Sequence, residues 1–204
     1  MKGLVFKRIF DIFLAFICIT LSMPFWFLFA FLIWIEDRGP VFYIQGRVGK
    51  GGKVFKVLKF RTMNLNKEID SEVSRFLRNT ALDELPQLIN ILKGDMSFVG
   101  PRPLIREEVE KLEGSKLFEK RIKVLPGLTG VSQVLLPKNA TEEEKFQYDI
   151  WYSKNRNLLM DIEFILVSYL ISLFGRWEVK AEKINILSRL KKKVDANFKE
   201  DINA

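Results

Sequence analysis

At 204 residues the chain has room for one compact domain and a membrane segment, but not for two domains with independent cores. Apolar residues make up 48% of it and charged residues 28%, with a formal net charge of +8. Such a mixture suits a protein partly in lipid and partly in water, whose cations would face nucleic acid, an anionic membrane surface or a phosphorylated substrate. The lack of histidine excludes triad hydrolases, histidine-ligated zinc and imidazole acid–base chemistry, and the single cysteine, Cys18, excludes an intrachain disulfide. Catalysis is left to carboxylates, Lys, Arg, Tyr or a metal held by oxygen.

In chain order, residues 9–35 are almost wholly apolar, interrupted by Asp11, Thr20, Ser22 and Pro24. At about 1.5 Å per residue a helix of this length reaches across a hydrocarbon layer of about 30 Å, so a single crossing is the simplest reading. A secretory leader fits less well, because the run is too long and no small-residue cleavage site follows. Cys18 reads as a small lipid-facing residue. Two features favour a helix that enters and leaves on one side. Lys2, Lys7 and Arg8 precede the run while Arg38, Arg47, Lys50 and Lys53 follow it, and both flanks then belong in the cytoplasm. Pro24 lacks the amide that would bond residue 20, which predicts a bend. Asp11 is expected to pair with Lys7 or Arg8 and fix the start of the helix at headgroup depth.

The basic residues between Arg38 and Arg61 would meet lipid headgroups, and this position makes nucleic acid the weaker partner. Residues 41–45 and 54–60 predict a hairpin, joined by a turn carrying Gly49, Gly51 and Gly52, with Phe55, Val57 and Lys59 on one face. Helical spacing follows in Ile69, Val73, Phe76 and Leu77, then in Leu85, Leu88, Ile89 and Leu92, where Gly94 predicts the stop. Further helices are expected over residues 104–112, 116–124 and 142–155. A second apolar run, residues 164–174, is too short to span. It forms either an interfacial helix, with Arg176, Trp177 and Lys180 at the headgroups, or a core helix. Beyond residue 180 the tail is charged, with Lys191, Lys192 and Lys193, and reads as a peripheral helix or a frayed end.

The chemistry-bearing residues are densest between Arg78 and Arg102: Asp83 with Glu84, then Pro86 and Gln87, Lys93-Gly94-Asp95 and Pro101-Arg102-Pro103. Taken locally, Asp83 sits at a helix N-cap position and Glu84 in the first turn, so capping and dipole complementation account for both. The bland reading of Arg102 is a solvated arginine in a rigid turn, although two prolines also hold a phosphate-binding fork in place. Lys59 and Arg61, two apart, share a strand face and singly read as surface charges.

The order of these segments resembles the bacterial sugar transferase family, the monotopic polyprenyl-phosphate phosphoglycosyl transferases, in its small members that consist of the catalytic unit alone. The resemblance rests on Lys7-Arg8 with Asp11, the Pro-containing apolar helix, Phe55-Lys56-Val57-Leu58-Lys59-Phe60-Arg61-Thr62-Met63, Leu82-Asp83-Glu84-Leu85-Pro86-Gln87-Leu88, and the run from Leu92 to Pro103. It covers roughly residues 5–174. What it implies is an α+β fold: a re-entrant membrane helix over residues 1–38, a catalytic domain with interfacial helices over 39–180, and the charged tail over 181–204. It also implies a place at the cytoplasmic face of a bacterial inner membrane. Asp83 would be the nucleophile, attacking a UDP-sugar, expelling UMP and carrying the phosphosugar to polyprenyl phosphate by a ping-pong route. Mg²⁺, touched by Asp83, would neutralise the anionic substrate. Glu84 would assist the acceptor or the metal. Arg78, Arg102 and Gln87 would hold substrate, and Lys59 would support the dyad or a phosphate.

The chain departs from the family pattern in one loop. Leu125 stands before Pro126-Gly127-Leu128-Thr129-Gly130 where an arginine is usual, and Gln133-Val134-Leu135-Leu136-Pro137-Lys138-Asn139 follows. Lys138 is the candidate replacement cation, a point charge in place of a fork. In the membrane helix Ser22-Met23-Pro24 replaces an adjacent Ser-Pro, and Ser22 is still expected to bond a backbone carbonyl. The rival reading is a membrane-anchored basic interaction module without turnover, in which Asp83 and Arg102 would be replaceable.

Overall fold

The computed structural model describes residues 2–63, 71–112, 114–137, 139–173, 188–192 and 194–195. The apolar run folds as one helix, α1 (Lys2–Asp37), with Pro24 inside it. It is followed by the hairpin β1 (Phe42–Val48) and β2 (Val54–Phe60), then α2 (Glu72–Asn79), α3 (Gln87–Lys93) and β3 (Ser97–Val99). The rest is α4 (Arg106–Glu110), α5 (Lys116–Arg121), β4 (Gly127–Thr129), α6 (Val131–Leu135), α7 (Glu142–Asn155) and α8 (Leu158–Leu173). The α+β expectation holds, with the first hairpin arm extended to Val48 and the helix at 104–112 shortened to α4.

Within α1 the stretch Leu4–Glu36 is long and apolar enough to cross a membrane, and only 11% of its most apolar window is buried in the protein. A core helix of a soluble protein would bury most of itself, whereas here Phe13, Phe16, Leu21 and Phe27 are exposed. The helix continues through Pro24. Close to the proline, Ser22 Oγ donates to the Cys18 carbonyl at 2.6 Å, as its position suggested, and accepts from Trp26 Nε1 at 2.9 Å.

Both arms of α1 pack on the same body. The first buries Asp11 and Ala15 against the main core, which gathers Phe55, Val57, Ile91, Met96, Val99 and Trp151. The second buries Phe29 and Ile33 with Phe60 and Leu77. Leu85 touches both clusters and so joins them. Cys18 is half-buried against the main core, not wholly turned to lipid as its apolar setting suggested.

The start of α1 is fixed by protein contacts. Lys7 pairs mainly with the buried Asp161 at 2.5 Å and lies 4.0 Å from Asp11. Asp11 is itself buried, where its carboxylate accepts the Phe98 amide at 3.4 Å. Arg8 donates to the Ile91 and Leu92 carbonyls, satisfying the exposed end of α3 where Gly94 turns left-handed at φ 90. α1 is thereby bolted to the helix that follows the acid pair.

On one of its sides α8 bears out the core reading of the second apolar run. Its Met160, Phe164, Val167 and Ile171 are core, at helical spacing, while Leu159, Leu166 and Tyr169 on the other side are exposed. Arg176, Trp177 and Lys180 lie outside the described residues, as does Ile69. Residues 188–192 are helical, and Leu190 and Val194 are buried in the main core beneath the charged exterior of the tail.

Candidate active site

The hairpin supplies the first wall. In its antiparallel register Tyr43 faces Lys59, Gln45 faces Val57 and Arg47 faces Phe55, and directly opposed residues share one face. Phe55 and Val57 are buried there, so Lys59 is carried on a strand whose inner face is locked in the core. The opposite face is also used, because Phe60 is buried against α1 through edge contacts with Trp26 and Phe29. Arg61 turns out to be buried, its guanidinium lying against Gly39.

The second wall is the turn between α2 and α3. Ala81 is left-handed at φ 57, a conformation that costs a non-glycine residue about 1–2 kcal/mol. It swings the chain into a 3₁₀ turn over Leu82–Glu84, and Pro86 occupies the N-cap of α3. Asp83 therefore does not cap α3, and the capping account given by the local sequence fails. Among the described residues its side chain takes no hydrogen bond from another residue, only one from its own backbone amide. Burial and, after it, the adjacent Glu84 charge push its pKa up to about 6, while Lys59 and Arg78 pull it down. A carboxylate of this kind is more basic than an ordinary one and is still mostly ionised at neutral pH.

Glu84 is engaged by Lys59, whose Nζ lies 2.5 Å from Oε1 with both side chains partly exposed. Asn90 fixes this pairing. It is buried in α3, takes the Leu58 amide at 3.2 Å and donates to the Lys56 carbonyl at 2.7 Å, so that α3 is docked on the free edge of β2. Removing the Lys59 charge, as in Lys59→Met, is expected to raise the Asp83 pKa further, by about 0.5–1 unit, because the cation that opposes Glu84 is lost. Carboxyl NMR titration of the variant would read this directly, and an unmoved midpoint would show that Lys59 does not influence Asp83.

The third wall is a backbone crossing. β3 and β4 pair in parallel, Gly100 N bonds the Thr129 carbonyl at 2.9 Å and Gly127 N bonds the Pro101 carbonyl at 3.0 Å. A Cβ on Gly127 would sit 2.1 Å from Gly100 N, and one on Gly100 would sit 2.4 Å from the Leu125 carbonyl. The Gly100-Pro101-Arg102-Pro103 and Pro126-Gly127 motifs are thus two halves of one close approach that only glycine permits. Arg121 strengthens it by donating to the Arg102 carbonyl at 2.6 Å and pairing with Asp149 at 2.7 Å, both side chains being buried. Ser132 Oγ completes the group, 2.7 Å from the other Asp149 oxygen.

Of the residues singled out by sequence, Asp83, Glu84, Lys59 and Arg78 are brought together. Arg78 is exposed at the end of α2 and Arg102 is exposed on its braced turn. Gln87 is buried in the first turn of α3, and Lys138 lies outside the described residues. Sequence reasoning missed Asn90, Arg121, Asp149 and Arg47. A polar residue on an apolar helix face could have flagged Asn90; nothing local could pair Arg121 with Asp149.

The fold and site define a protein with one long apolar helix and an α+β body whose surface gathers an acid pair among phosphate-sized cations. The chain belongs to the bacterial sugar transferase family, whose model matches residues 2–175. It is 37% identical over 172 residues to the UDP-N-acetylgalactosamine-undecaprenyl-phosphate N-acetylgalactosaminephosphotransferase of Aeromonas hydrophila, covering 76% of this chain and 41% of that one. It is 35% identical over 186 residues to the undecaprenyl-phosphate galactose phosphotransferase of Salmonella typhimurium, covering 76% and 38%. With the exopolysaccharide production protein ExoY of Rhizobium meliloti it shares 34% identity over 183 residues, covering 76% and 80%. The chain thus spans about two fifths of the length of the first two relatives and most of the third.

Proposed function

We propose that the chain is a phosphoglycosyl transferase that moves a phosphosugar from a UDP-sugar to polyprenyl phosphate at a membrane surface. The observation that carries this reading is the Asp83 carboxylate, released from capping, raised in basicity and flanked by Lys59 and Arg78. In the first step an Asp83 oxygen attacks the β-phosphorus of the donor. The bond from that phosphorus to the bridging oxygen breaks, and UMP leaves with the electron pair. In the second step an oxygen of polyprenyl phosphate attacks the same phosphorus, the bond to Asp83 breaks, and the carboxylate is regenerated. The product is a polyprenyl diphosphosugar. Lys59 holds Glu84 beside the nucleophile, and Arg78 and Arg102 supply charge to the phosphates.

Mg²⁺ is the metal this chemistry suits. Among the described residues no group of three metal-binding side chains exists, so a cage made of protein alone is not formed. Mg²⁺ needs only one or two carboxylates when a diphosphate and water supply the other oxygens, and Asp83 fits that requirement. Bound there, the ion would neutralise charge on the donor diphosphate.

The membrane half of the reading is supported by the exposed apolar surface of α1, the basic flanks at both its ends and the packing of both its arms on one body. A helix so held enters and leaves from the same side, and the positive flanks favour the cytoplasmic face of the inner membrane. The test is UMP release by detergent-solubilised protein with Mg²⁺, undecaprenyl phosphate and a panel of UDP-sugars. Release that requires one of the donors, with phosphosugar recovered on the lipid, is the expected result. Folded protein that releases nothing with any donor would overturn the proposal.

A further inference from the structure

Arg47 was read from sequence only as part of a basic flank, but the hairpin register places it on the Lys59 face. Its guanidinium is fixed on two sides: Nη2 donates to Gln45 Oε1 at 2.7 Å and Nη1 donates to the Pro103 carbonyl at 3.1 Å. The second contact sets it against the turn that carries Arg102. A fork held this way has lost its rotamer freedom before any ligand arrives, which lowers the cost of binding.

Charge is left over at this place. Among the described residues neither Arg47 nor Arg102 forms an ion pair with a carboxylate. Burial and, after it, the Arg102 charge press the Arg47 pKa down, and Glu108, Tyr43 and Glu84 only partly oppose them. Two guanidiniums held within electrostatic reach of each other repel unless an anion lies between them. Arg47 is also reachable, since it is only partly buried and Arg102 is exposed. Arg106 is already taken by Glu110, at 3.2 Å, which leaves Arg47 as the fixed cation with donors to spare.

We infer that Arg47 and Arg102 together form an anion subsite that grips a substrate phosphate beside the Asp83–Glu84 turn, with Gln45 and the Pro103 carbonyl as its rigid supports. The inference rests on the transferase reading and adds to it a cation that orients a phosphate without taking part in bond making. The phosphate belongs either to the nucleotide donor or to the lipid acceptor.

The experiment is steady-state UMP release by wild type, Arg47→Gln and Arg47→Lys, varying the donor at saturating acceptor and the acceptor at saturating donor, with thermal unfolding of each protein alongside. Loss of a charged, two-pronged contact is expected to raise one KM on the order of 10- to 100-fold in Arg47→Gln, with the other KM nearly unchanged. Arg47→Lys should recover part of the loss, as a point charge without the fork. A rise confined to the donor KM assigns the donor phosphate, and a rise confined to the acceptor KM assigns the acceptor. Both KM values unchanged, or a fall in kcat that only tracks a lower unfolding temperature, would overturn the subsite. Wild type that releases no UMP would instead sink the transferase reading itself.

Discussion

Asp83→Asn is expected to lose transfer activity by on the order of 10³-fold or more while becoming more stable at neutral pH. The two effects share a cause. Asn keeps the shape of the side chain but can neither attack phosphorus nor carry the charge that burial and Glu84 disfavour. The folded-state pKa of about 6 lies above the ordinary 3.8, so the folded protein binds this proton more tightly than the unfolded chain does. Protonation therefore adds stability as pH falls from 6 towards 3.8, and above pH 6 the wild type carries the full penalty. At pH 7.5 the variant should gain about 1–3 kcal/mol, and the gap should close as pH approaches 4. Unfolding of both proteins in detergent at the two pH values measures it. A gap of the same size at both would show that the gain has nothing to do with charge.

Asp149→Asn should have the largest effect on stability, a loss of about 3–5 kcal/mol, because it leaves Arg121 buried without its counter-ion. Arg121 and Asp149 are 4% and 1% exposed, and the guanidinium also lies over the Phe146 ring, 4.8 Å from its centroid. For a chain of this size such a loss lowers the unfolding temperature by on the order of 10 °C. The double variant Arg121→Met with Asp149→Leu should recover much of it, since an apolar pair of similar volume leaves no charge uncompensated. A single variant that unfolds within 2 °C of wild type would show that the pair is not supporting the fold. Because Arg121 also holds the Arg102 carbonyl, the single variant should bind donor less well even at temperatures where it stays folded.

The long apolar helix, the hairpin, the stop at Gly94 and the extent of α7 could be read from sequence because each depends on local chemistry: apolar length, strand alternation, a left-handed glycine, and a Thr141–Glu144 capping box. The motifs around Asp83 and Arg102 were legible as well, through their likeness to a family and not through any property of the residues taken singly. Local reading failed at Asp83 itself. An acid pair ahead of an apolar helix looks like a cap, and only the left-handed Ala81 with Pro86 at the N-cap takes it out of that role.

By itself, then, the sequence determined where apolar and charged residues separate, which chemistry the missing histidines forbid, and which carboxylates and cations are available. Tertiary structure decided which of them meet. Lys59 and Glu84, Arg121 and Asp149, and Arg47 and Pro103 lie 25, 28 and 56 residues apart. Their approach is set by the Asn90 dock on β2, by the glycine crossing of β3 with β4 and by the hairpin register. Each of these is a long-range fit of backbone surfaces, and pairings of that kind leave no periodic trace along the chain because either partner alone is compatible with many others.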